Sequence, residues 1–199
     1  YGGGGSSLVE QGILYEAMGE HGCPSPHLTV TLAASILLSY GDRAACHELL
    51  PAIARDGRIV AYAQTEPDYG WDAEHVRLAA TRQGGDVVLN GTKLWITNGS
   101  IADVAVIWAK LDGVVRGFLV ERGTPGFTPR DIHGKHSMRA SVTSELSFQD
   151  CRIPAENLLA KPDGLRSPLS CLNQARYGIA WGAIGAAMAC YQAALAYSR

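Results

Sequence analysis

A tryptophan and a threonine stand two positions apart within residues 89–98, which read LNGTKLWITN. On a β-strand, Trp95 and Thr97 would point to the same face, because alternate side chains of a strand are parallel. A flat indole beside a hydroxyl suits a flat heteroaromatic ligand. The preceding Asn90-Gly91 is typical of a type I′ turn and predicts a hairpin. Taken alone, the segment favours a plainer interpretation, a core tryptophan followed by an ordinary strand threonine.

A second segment, residues 63–72, reads AQTEPDYGWD and follows an apolar run, which predicts a strand opening into a loop. Together the two segments resemble the acyl-CoA dehydrogenase family of flavoenzymes, whose middle domain carries TEPxxGSD and then NGxKxWITN. Three further stretches agree: GKHSMRASVT from Gly134, FQDCRIPAENLL from Phe148 and NQARYGIAWG from Asn173. The last of these is most similar to the glutaryl-CoA dehydrogenase branch. Five ordered motifs are far more specific than one.

The resemblance implies a redox reaction on an acyl thioester. In this family FAD accepts a hydride from Cβ of an acyl-CoA, a glutamate removes the α-proton, and a trans-2-enoyl-CoA is formed. The cofactor supplies the redox chemistry, and the protein must bind and orient it. The resemblance also implies electron-transfer flavoprotein as the electron acceptor and a homodimer or homotetramer. A cytoplasmic location is expected, or the mitochondrial matrix in a eukaryote.

The flavin contacts of the family can be carried to this chain one residue at a time. Trp95 is expected to pack against the isoalloxazine, and Thr97 to hydrogen-bond near flavin N5. Donors from Gln64 and Thr65 would meet the pyrimidine edge, where negative charge develops on reduction. A glycine at position 70 would let the loop approach the pyrophosphate, since a Cβ would intrude. The resemblance therefore implies cofactor binding by Gln64, Thr65, Gly70, Trp95, Ile96 and Thr97.

One position of the cofactor loop departs from the family. A serine that helps to bind the diphosphate region of the cofactor is replaced here by Trp71. A tryptophan cannot take the place of a small hydroxyl without displacing something. We therefore expect altered or loosened flavin binding, and the role of the serine is not assigned to Trp71.

Substrate contacts are implied at two places. Asn173 and Arg176 share one helix face, and the family uses these positions near the CoA pantetheine and the catalytic carboxylate; an ordinary exposed arginine is the alternative. The glutaryl-CoA branch holds the distal carboxylate with an arginine and a serine that follow its first helix. Ser25 matches the serine, but Pro24 replaces the arginine, which removes a charge-assisted contact. A monocarboxylic or unusual acyl-CoA is therefore expected rather than glutaryl-CoA.

No residue of the sequence matches a catalytic glutamate of the family. Some members carry the base immediately before the helix arginine, where this chain has Ala175. Glu66 occupies a position that is structural in the family. The base is therefore expected in a helical region that would follow Arg199, because the resemblance indicates a chain that is incomplete at both ends. We predict that the 199-residue chain alone lacks turnover.

Three functional classes remain open on the sequence. The first is a flavin-dependent acyl-CoA dehydrogenase, an oxidoreductase acting on CH-CH groups. The second is a non-catalytic relic that binds flavin or acyl-CoA, and the third is an interaction scaffold that binds no flavin. Resemblance in fold cannot separate them, because function lies in the site.

Composition excludes several other classes of protein. Hydrophobic residues make up 47% of the sequence and charged residues 18%, which excludes a disordered tail. A formal net charge of −2 without a clustered basic patch predicts no nucleic-acid partner. The five cysteines include no C-x-x-C pair and form no ligand cluster with the six histidines, so no metal is expected.

Periodicity predicts an α+β fold in three parts. Residues 1–56 form a partial helical domain, opened by a capping box between Ser7 and Glu10. Residues 57–160 form an antiparallel β-sandwich or barrel that binds the flavin. Residues 161–199 form an exit loop, over 161–168, and the first helix of a C-terminal helical bundle. The hairpin candidates are Gly84-Gly85, Asn90-Gly91 and Asp112-Gly113.

Two helices carry open questions. The helix predicted over residues 42–54 contains Pro51, which leaves its continuity uncertain. Residues 179–196 are apolar enough to suggest a membrane span, and Gly178 and Gly182 are spaced as in a membrane helix dimer. Most of these residues are only alanine or glycine, so a helix packed closely inside a bundle is the preferred interpretation, and no membrane span is expected.

Overall fold

The computed structural model describes residues 1–23, 25–161 and 164–199. Three helices come first, α1 (Leu8–Glu20), α2 (His27–Tyr40) and α3 (Arg43–Asp56), and one long helix, α4 (Arg166–Tyr197), comes last. A seven-stranded sheet lies between them in the sequence, which confirms the α+β class. The strands are β1 (Val60–Ala63), β2 (Ala79–Gln83), β3 (Asp86–Thr97), β4 (Val104–Leu111), β5 (Val114–Glu121), β6 (Phe127–Asp131) and β7 (Thr143–Pro154).

The strands form one mixed sheet in the order β1-β4-β2-β3-β7-β6, with β5 on the other edge of β4. Strand β4 runs parallel to β1 and to β2, whereas the other named pairings are antiparallel. The prediction of an all-antiparallel β-domain is therefore wrong at these two pairings. After β1 the chain makes β2 and β3 before it returns as β4, and a long crossover of this kind is what parallel pairing requires.

Two of the three predicted hairpins are confirmed. Gly84-Gly85 joins β2 to β3, and Asp112-Gly113 joins β4 to β5. Asn90-Gly91 is not a turn, because β3 runs straight through it.

Asn90-Gly91 instead forms an irregularity inside β3, where the register with β7 shifts between Leu89 and Gly91. Gly91 has φ of 138°, and a Cβ there would lie 3.0 Å from Cα of Leu78. The Asn90 side chain accepts from the backbone N–H of Asp150 at 2.8 Å. Gly91 thus allows a β-bulge and a close approach to the backbone of Leu78, two roles for which glycine is as well suited as it is for a turn.

The helix ends follow the local sequence closely. Ser7 and Glu10 form the predicted capping box at the start of α1. Helix α3 continues through Pro51 to Asp56, so the proline does not end it. Helix α4 begins at Arg166, so the exit loop is shorter than predicted and Pro168 falls in the first helical turn, where a missing N–H costs nothing. Residues 162 and 163 of the predicted loop lie outside the described residues.

Glycines bring α4 into close contact with the first two helices. A Cβ at Gly178 would meet the side chains of Leu28 and Tyr15, and one at Gly185 would lie 1.9 Å from the backbone oxygen of Glu16. This packing agrees with the preferred interpretation of the small residues in α4. By length and composition alone α4 could also cross a membrane, and the expectation that it does not stays a prediction.

Two hydrophobic clusters fix the helices and the sheet relative to each other. One lies within the β-domain, among residues of β1, β2, β3, β4, β5 and β7. The other joins α2 and α3 to β1 and β4 and contains the fully buried Trp108. This second cluster places α2 next to β1, beside the candidate site.

We expect Gly185→Ala to lower the free energy of unfolding by about 1–3 kcal/mol, as overpacking does. The added methyl would strike the backbone of α1, which cannot move away as a flexible side chain can. Gly182→Ala in the same helix is the matched control. Its Cβ would come no nearer than 3.6 Å, to the Tyr15 oxygen, and alanine favours helix by up to about 1 kcal/mol. Chemical denaturation of both variants provides the measurement, and equal effects would contradict the close packing.

Candidate functional site

A cleft of about 480 Å³ opens between the sheet and the helices, within the size range of small-molecule sites. Its walls come from α2, the end of β1 with the following loop, the end of β3, and α4. The lining residues are Leu28, Thr29, Leu32, Tyr62, Gln64, Thr65, Gly70, Trp71, Trp95, Ile96, Thr97, Leu169, Leu172, Ala175, Arg176 and Ile179.

Every residue predicted to bind cofactor lines this one cleft. The two segments that carry them are held side by side, since the N–H of Leu94 donates to the carbonyl of Thr65 at 2.9 Å. The structure thus brings together Gln64, Thr65, Gly70, Trp95, Ile96 and Thr97. Their assignment to particular cofactor atoms stays a prediction.

The indole of Trp95 is presented to the cleft by an unusual backbone. Its φ is 62°, and the register of β3 with β7 shifts between Lys93 and Ile96. Left-handed φ is uncommon for bulky residues, costs of the order of 1–3 kcal/mol and, where it persists, is often part of a functional site. Trp95 remains 57% exposed and Thr97 is also exposed, whereas Ile96 between them is buried. Trp95 and Thr97 thus both line the cleft, although the left-handed backbone at Trp95 interrupts the regular strand alternation from which their shared face was predicted.

A buried ion pair lies behind the cleft wall. Lys93 is fully buried, and its Nζ donates to Glu66 Oε1 at 2.8 Å and to the Gln64 carbonyl at 2.9 Å. The Glu66 carboxylate also accepts from the backbone N–H groups of Arg77 and Leu78, at 2.6 and 2.9 Å. Burial lowers the pKa of the Lys93 ammonium to about 8, although the Glu66 carboxylate opposes that shift. Glu66 is therefore a structural anchor, as expected, and is not available as a base.

The loop that carries Gly70 and Trp71 forms the rim of the cleft. A Cβ at Gly70 would meet no atom within 4 Å, and its φ is not in the left-handed region. Neither packing nor backbone conformation therefore requires glycine at this position, and its predicted role beside the cofactor stays a prediction. Trp71 is 96% exposed, so the large side chain that replaces the family serine extends outward and does not fill the cleft.

Arg176 is the only charged side chain among the described residues that line the cleft. Its Nη1 donates to Asn173 Oδ1 at 3.0 Å, so the predicted pair is formed on one face of α4. Ala175 lies beside it in the lining, and no carboxylate is among the described lining residues. The cleft can bind a flat aromatic group and attract negative charge, but these lining residues include no general base.

Of the three predicted substrate residues, only Arg176 is among the described residues that line the cleft, and Asn173 is connected to the cleft only through its contact with Arg176. Ser25 does not join them. It is exposed and is not among the described residues that line the cleft; its Oγ accepts from the backbone N–H of His27 at 3.1 Å. A role in substrate binding stays a prediction. Pro24, which stands where the glutaryl-CoA branch has arginine, lies outside the described residues. Nor do any three His, Cys, Asp or Glu side chains of the described chain lie close enough together to hold a metal.

Several lining residues were missed by sequence reasoning. Tyr62 lies on β1 and precedes Gln64, just after the strand, by two positions, so strand periodicity alone could have predicted that both side chains share one face. Leu28 and Leu32 are spaced four apart on α2, which also puts them on one face. What the sequence could not supply was the position of α2 against the end of β1.

Comparisons with known proteins agree with this geometry. The model of a protein family described as "Acyl-CoA dehydrogenase, middle domain" matches residues 61–151. A solved glutaryl-CoA dehydrogenase from Mycobacterium smegmatis, in complex with FADH2, is 42% identical with a TM-score of 0.92, over 98% of this chain and 52% of that chain. An acryloyl-CoA reductase (NADH) from Anaerotignum propionicum is 35% identical over 94% of this chain and 50% of its own length. A short-chain specific acyl-CoA dehydrogenase from Clostridium acetobutylicum is 32% identical over 100% of this chain and 55% of its own length. The chain thus spans about half the length of these relatives.

Removal of the buried cation should be costly. We expect Lys93→Met to lower the free energy of unfolding by about 3–5 kcal/mol, because the Glu66 charge is left buried without its partner. Arg152→Met is the matched control. It breaks an exposed pair with Asp86, also on β3, and should cost less than about 1 kcal/mol. Denaturant titration compares the two variants. Similar losses in the free energy of unfolding would show that the buried pair contributes no more to stability than the exposed pair does.

The pH dependence gives an independent check on the same pair. Because the pKa of Lys93 is about 8 when folded and its ordinary value is 10.5, the unfolded chain holds the proton more tightly between these values. The free energy of unfolding contributed by Lys93 should therefore rise as the pH increases from about 8 to 10.5. The measurement is the difference between the wild type and Lys93→Met at each pH, and a difference that does not change would contradict the lowered pKa.

Proposed function

Because this chain belongs to the acyl-CoA dehydrogenase family, we propose that it binds FAD and an acyl-CoA thioester as part of a flavin-dependent dehydrogenase. The reaction proposed is α,β-dehydrogenation of the thioester to a trans-2-enoyl-CoA. The single observation that carries the proposal is the convergence of all the predicted cofactor residues, together with Arg176, on one cleft.

The residues of the cleft fit a flavin. Trp95 offers an exposed indole face, which suits stacking on a flat ring system. The space beside Gly70 would be reduced by any side chain, which suits the close approach of a diphosphate to the loop backbone. Gln64 and Thr65 supply polar groups to the same wall, and Thr97 adds a hydroxyl beside the indole. When bound, FAD supplies the hydride acceptor.

The rest of the cleft suits an acyl thioester. Its helical walls are mainly apolar, which favours burial of a short acyl chain and the pantetheine arm. Arg176 offers one positive charge, and the described lining residues include no second cation that could hold the far carboxylate of a dicarboxylic acyl group. We therefore favour a monocarboxylic acyl-CoA over glutaryl-CoA, in line with Pro24 in the sequence. The apolar residues are Leu28, Leu32, Leu169, Leu172 and Ile179.

Proton abstraction is the step for which the described lining residues offer no carboxylate. Ala175 takes the place of the glutamate that some family members carry immediately before the helix arginine. Glu66 is bound to Lys93 and to two backbone N–H groups and is not among the described residues that line the cleft, so it is held away from the substrate. The 199 residues are therefore proposed to bind cofactor and substrate but to lack turnover by themselves.

Partners and location follow from the family proposal. Electron-transfer flavoprotein is the proposed electron acceptor, and the complete protein is proposed to be a homodimer or homotetramer. A cytoplasmic location, or the mitochondrial matrix in a eukaryote, stays a prediction. So do the boundaries of the three parts at residues 56 and 160.

We expect the purified chain to bind FAD and Trp95→Leu to bind it about tenfold more weakly, since aromatic stacking is worth about 0.5–1.5 kcal/mol. Tyr197→Leu is the matched control, because Tyr197 is 94% exposed at the far end of α4. Visible absorption and quenching of tryptophan fluorescence during a flavin titration measure the affinity. A chain that shows no change in flavin absorption and no fluorescence quenching due to binding at high FAD would contradict the proposal and favour the scaffold. Equal losses in both variants would contradict stacking on Trp95.

A second experiment separates binding from turnover. When the flavin-loaded chain is mixed with butyryl-CoA without oxygen, we expect the flavin absorption to persist. Ala175→Glu, which places a carboxylate in the cleft beside Arg176, should bleach the flavin, whereas the isosteric Ala175→Gln should not. Stopped-flow absorption records the reaction. Rapid bleaching of the wild type would show that a base is present and that the proposed inactivity is wrong.

A further inference from the structure

Tyr62 is a partly buried residue of the cleft to which the proposed function gives no role. Its ring lies against Trp108, with ring centroids 6.4 Å apart. Its hydroxyl donates to the side-chain oxygen of Gln64, two residues further along, and lies 3.3 Å from the carbonyl of Pro168 in the first turn of α4. Burial raises the pKa of Tyr62 well above its usual range, so this hydroxyl keeps its proton.

The polar atoms of Gln64 are almost all accounted for. Oε1 accepts from the Tyr62 hydroxyl, and the backbone carbonyl accepts from Lys93 Nζ. No described residue accepts a hydrogen bond from Gln64 Nε2. The described side-chain atoms that are buried without a partner are Asn98 Nδ2 and Trp108 Nε1, so Nε2 of Gln64 is not among them. Gln64 is only 8% exposed and lines the cleft. Its amide nitrogen is therefore left to face the cleft.

A primary amide can present either its oxygen or its nitrogen to a ligand, and the two choices have opposite chemistry. The Tyr62 hydroxyl fixes which of the two atoms faces the ligand. It donates to Gln64 Oε1, which is closer to it than the Pro168 carbonyl is. The carboxamide is thereby turned with its donor atoms toward the cleft.

We propose that Tyr62 is a positioning residue that orients the Gln64 carboxamide, so that Nε2 donates a hydrogen bond to an acceptor atom of the bound ligand. Under the proposed function, on which this inference rests, that acceptor lies on the pyrimidine edge of the flavin. A donor placed there stabilises the negative charge that develops on reduction. Tyr62 therefore acts on flavin affinity and on flavin midpoint potential only through Gln64.

The test is a double-mutant cycle on the flavin-loaded chain. Tyr62→Phe removes the hydroxyl and keeps the ring, and Gln64→Leu removes the amide. We expect each variant to bind FAD about fivefold more weakly, as the loss of one hydrogen bond implies, and to have a lowered midpoint potential. Because Tyr62 acts through Gln64, the double variant should be no worse than Gln64→Leu alone. Losses that add, or a Tyr62→Phe variant with unchanged affinity and potential, would overturn the inference.

Tyr40→Phe is the matched control for a merely structural role. The Tyr40 hydroxyl also bonds to α4, with 2.6 Å to Ser170 Oγ, but it lies outside the cleft lining. The control should change stability about as much as Tyr62→Phe does and should leave flavin affinity and potential unchanged. A control that shifts the potential as strongly as Tyr62→Phe would overturn the inference.

A measurement without flavin distinguishes failure of this inference from failure of the proposed function. The side-chain NH₂ of Gln64, assigned by its loss in Gln64→Leu, should give two well-separated proton resonances in the free chain. In Tyr62→Phe they should move toward the positions of a freely rotating amide. If they do so in a chain that binds no flavin, the proposed function fails and the positioning role stands. If the resonances are unchanged in Tyr62→Phe, the positioning role fails whatever the flavin does.

Discussion

The buried pair between Lys93 and Glu66 is the interaction on which the cleft depends. A fully buried ammonium is tolerated only when its charge is compensated and its protons are bonded, and Lys93 meets both needs with Glu66 and the Gln64 carbonyl. These contacts join the loop after β1 to the middle of β3. Since Glu66 also holds the backbone before β2, a single pair of side chains ties together three parts of the chain.

This anchor makes the strained backbone of β3 possible. Trp95 can hold a left-handed φ because Lys93 on one side and the buried Ile96 on the other fix the strand at both ends of the irregularity. Without such constraints, a tryptophan would favour an extended backbone, because the left-handed region is costly for a bulky side chain. Packing and ion pairing behind the cleft wall thus offset the free-energy cost of the left-handed backbone at Trp95. The exposed indole that results is the feature most suited to a flat ligand.

The sequence was most informative where a local rule and a family motif agreed, and least where one residue type serves two purposes. The capping box of α1 and the two confirmed hairpins follow from local chemistry. Asn90-Gly91 obeys the same turn rule, yet it lies inside β3, because a glycine with positive φ suits a bulge as well as a turn. The parallel pairings of β4 could not be derived either, since they depend on the order in which strands meet. For the site, motifs located the residues of β3 and of the loop after β1. Strand periodicity could have added Tyr62, but the position of α2 against β1 depends on packing that no local pattern encodes.

The cleft also depends on a helix that uses two of its faces at once. On one face of α4, Gly178 and Gly185 admit the side chains and backbone of α1 and α2. On another face, at helical spacing, lie Leu172, Arg176 and Ile179, which line the cleft. Close contact on the first face fixes the rotation of α4 about its axis, and that rotation directs the only charge among the described lining residues toward the sheet. The β-domain therefore supplies the aromatic wall, but the site exists only because helices from before and after it in the sequence close the other side.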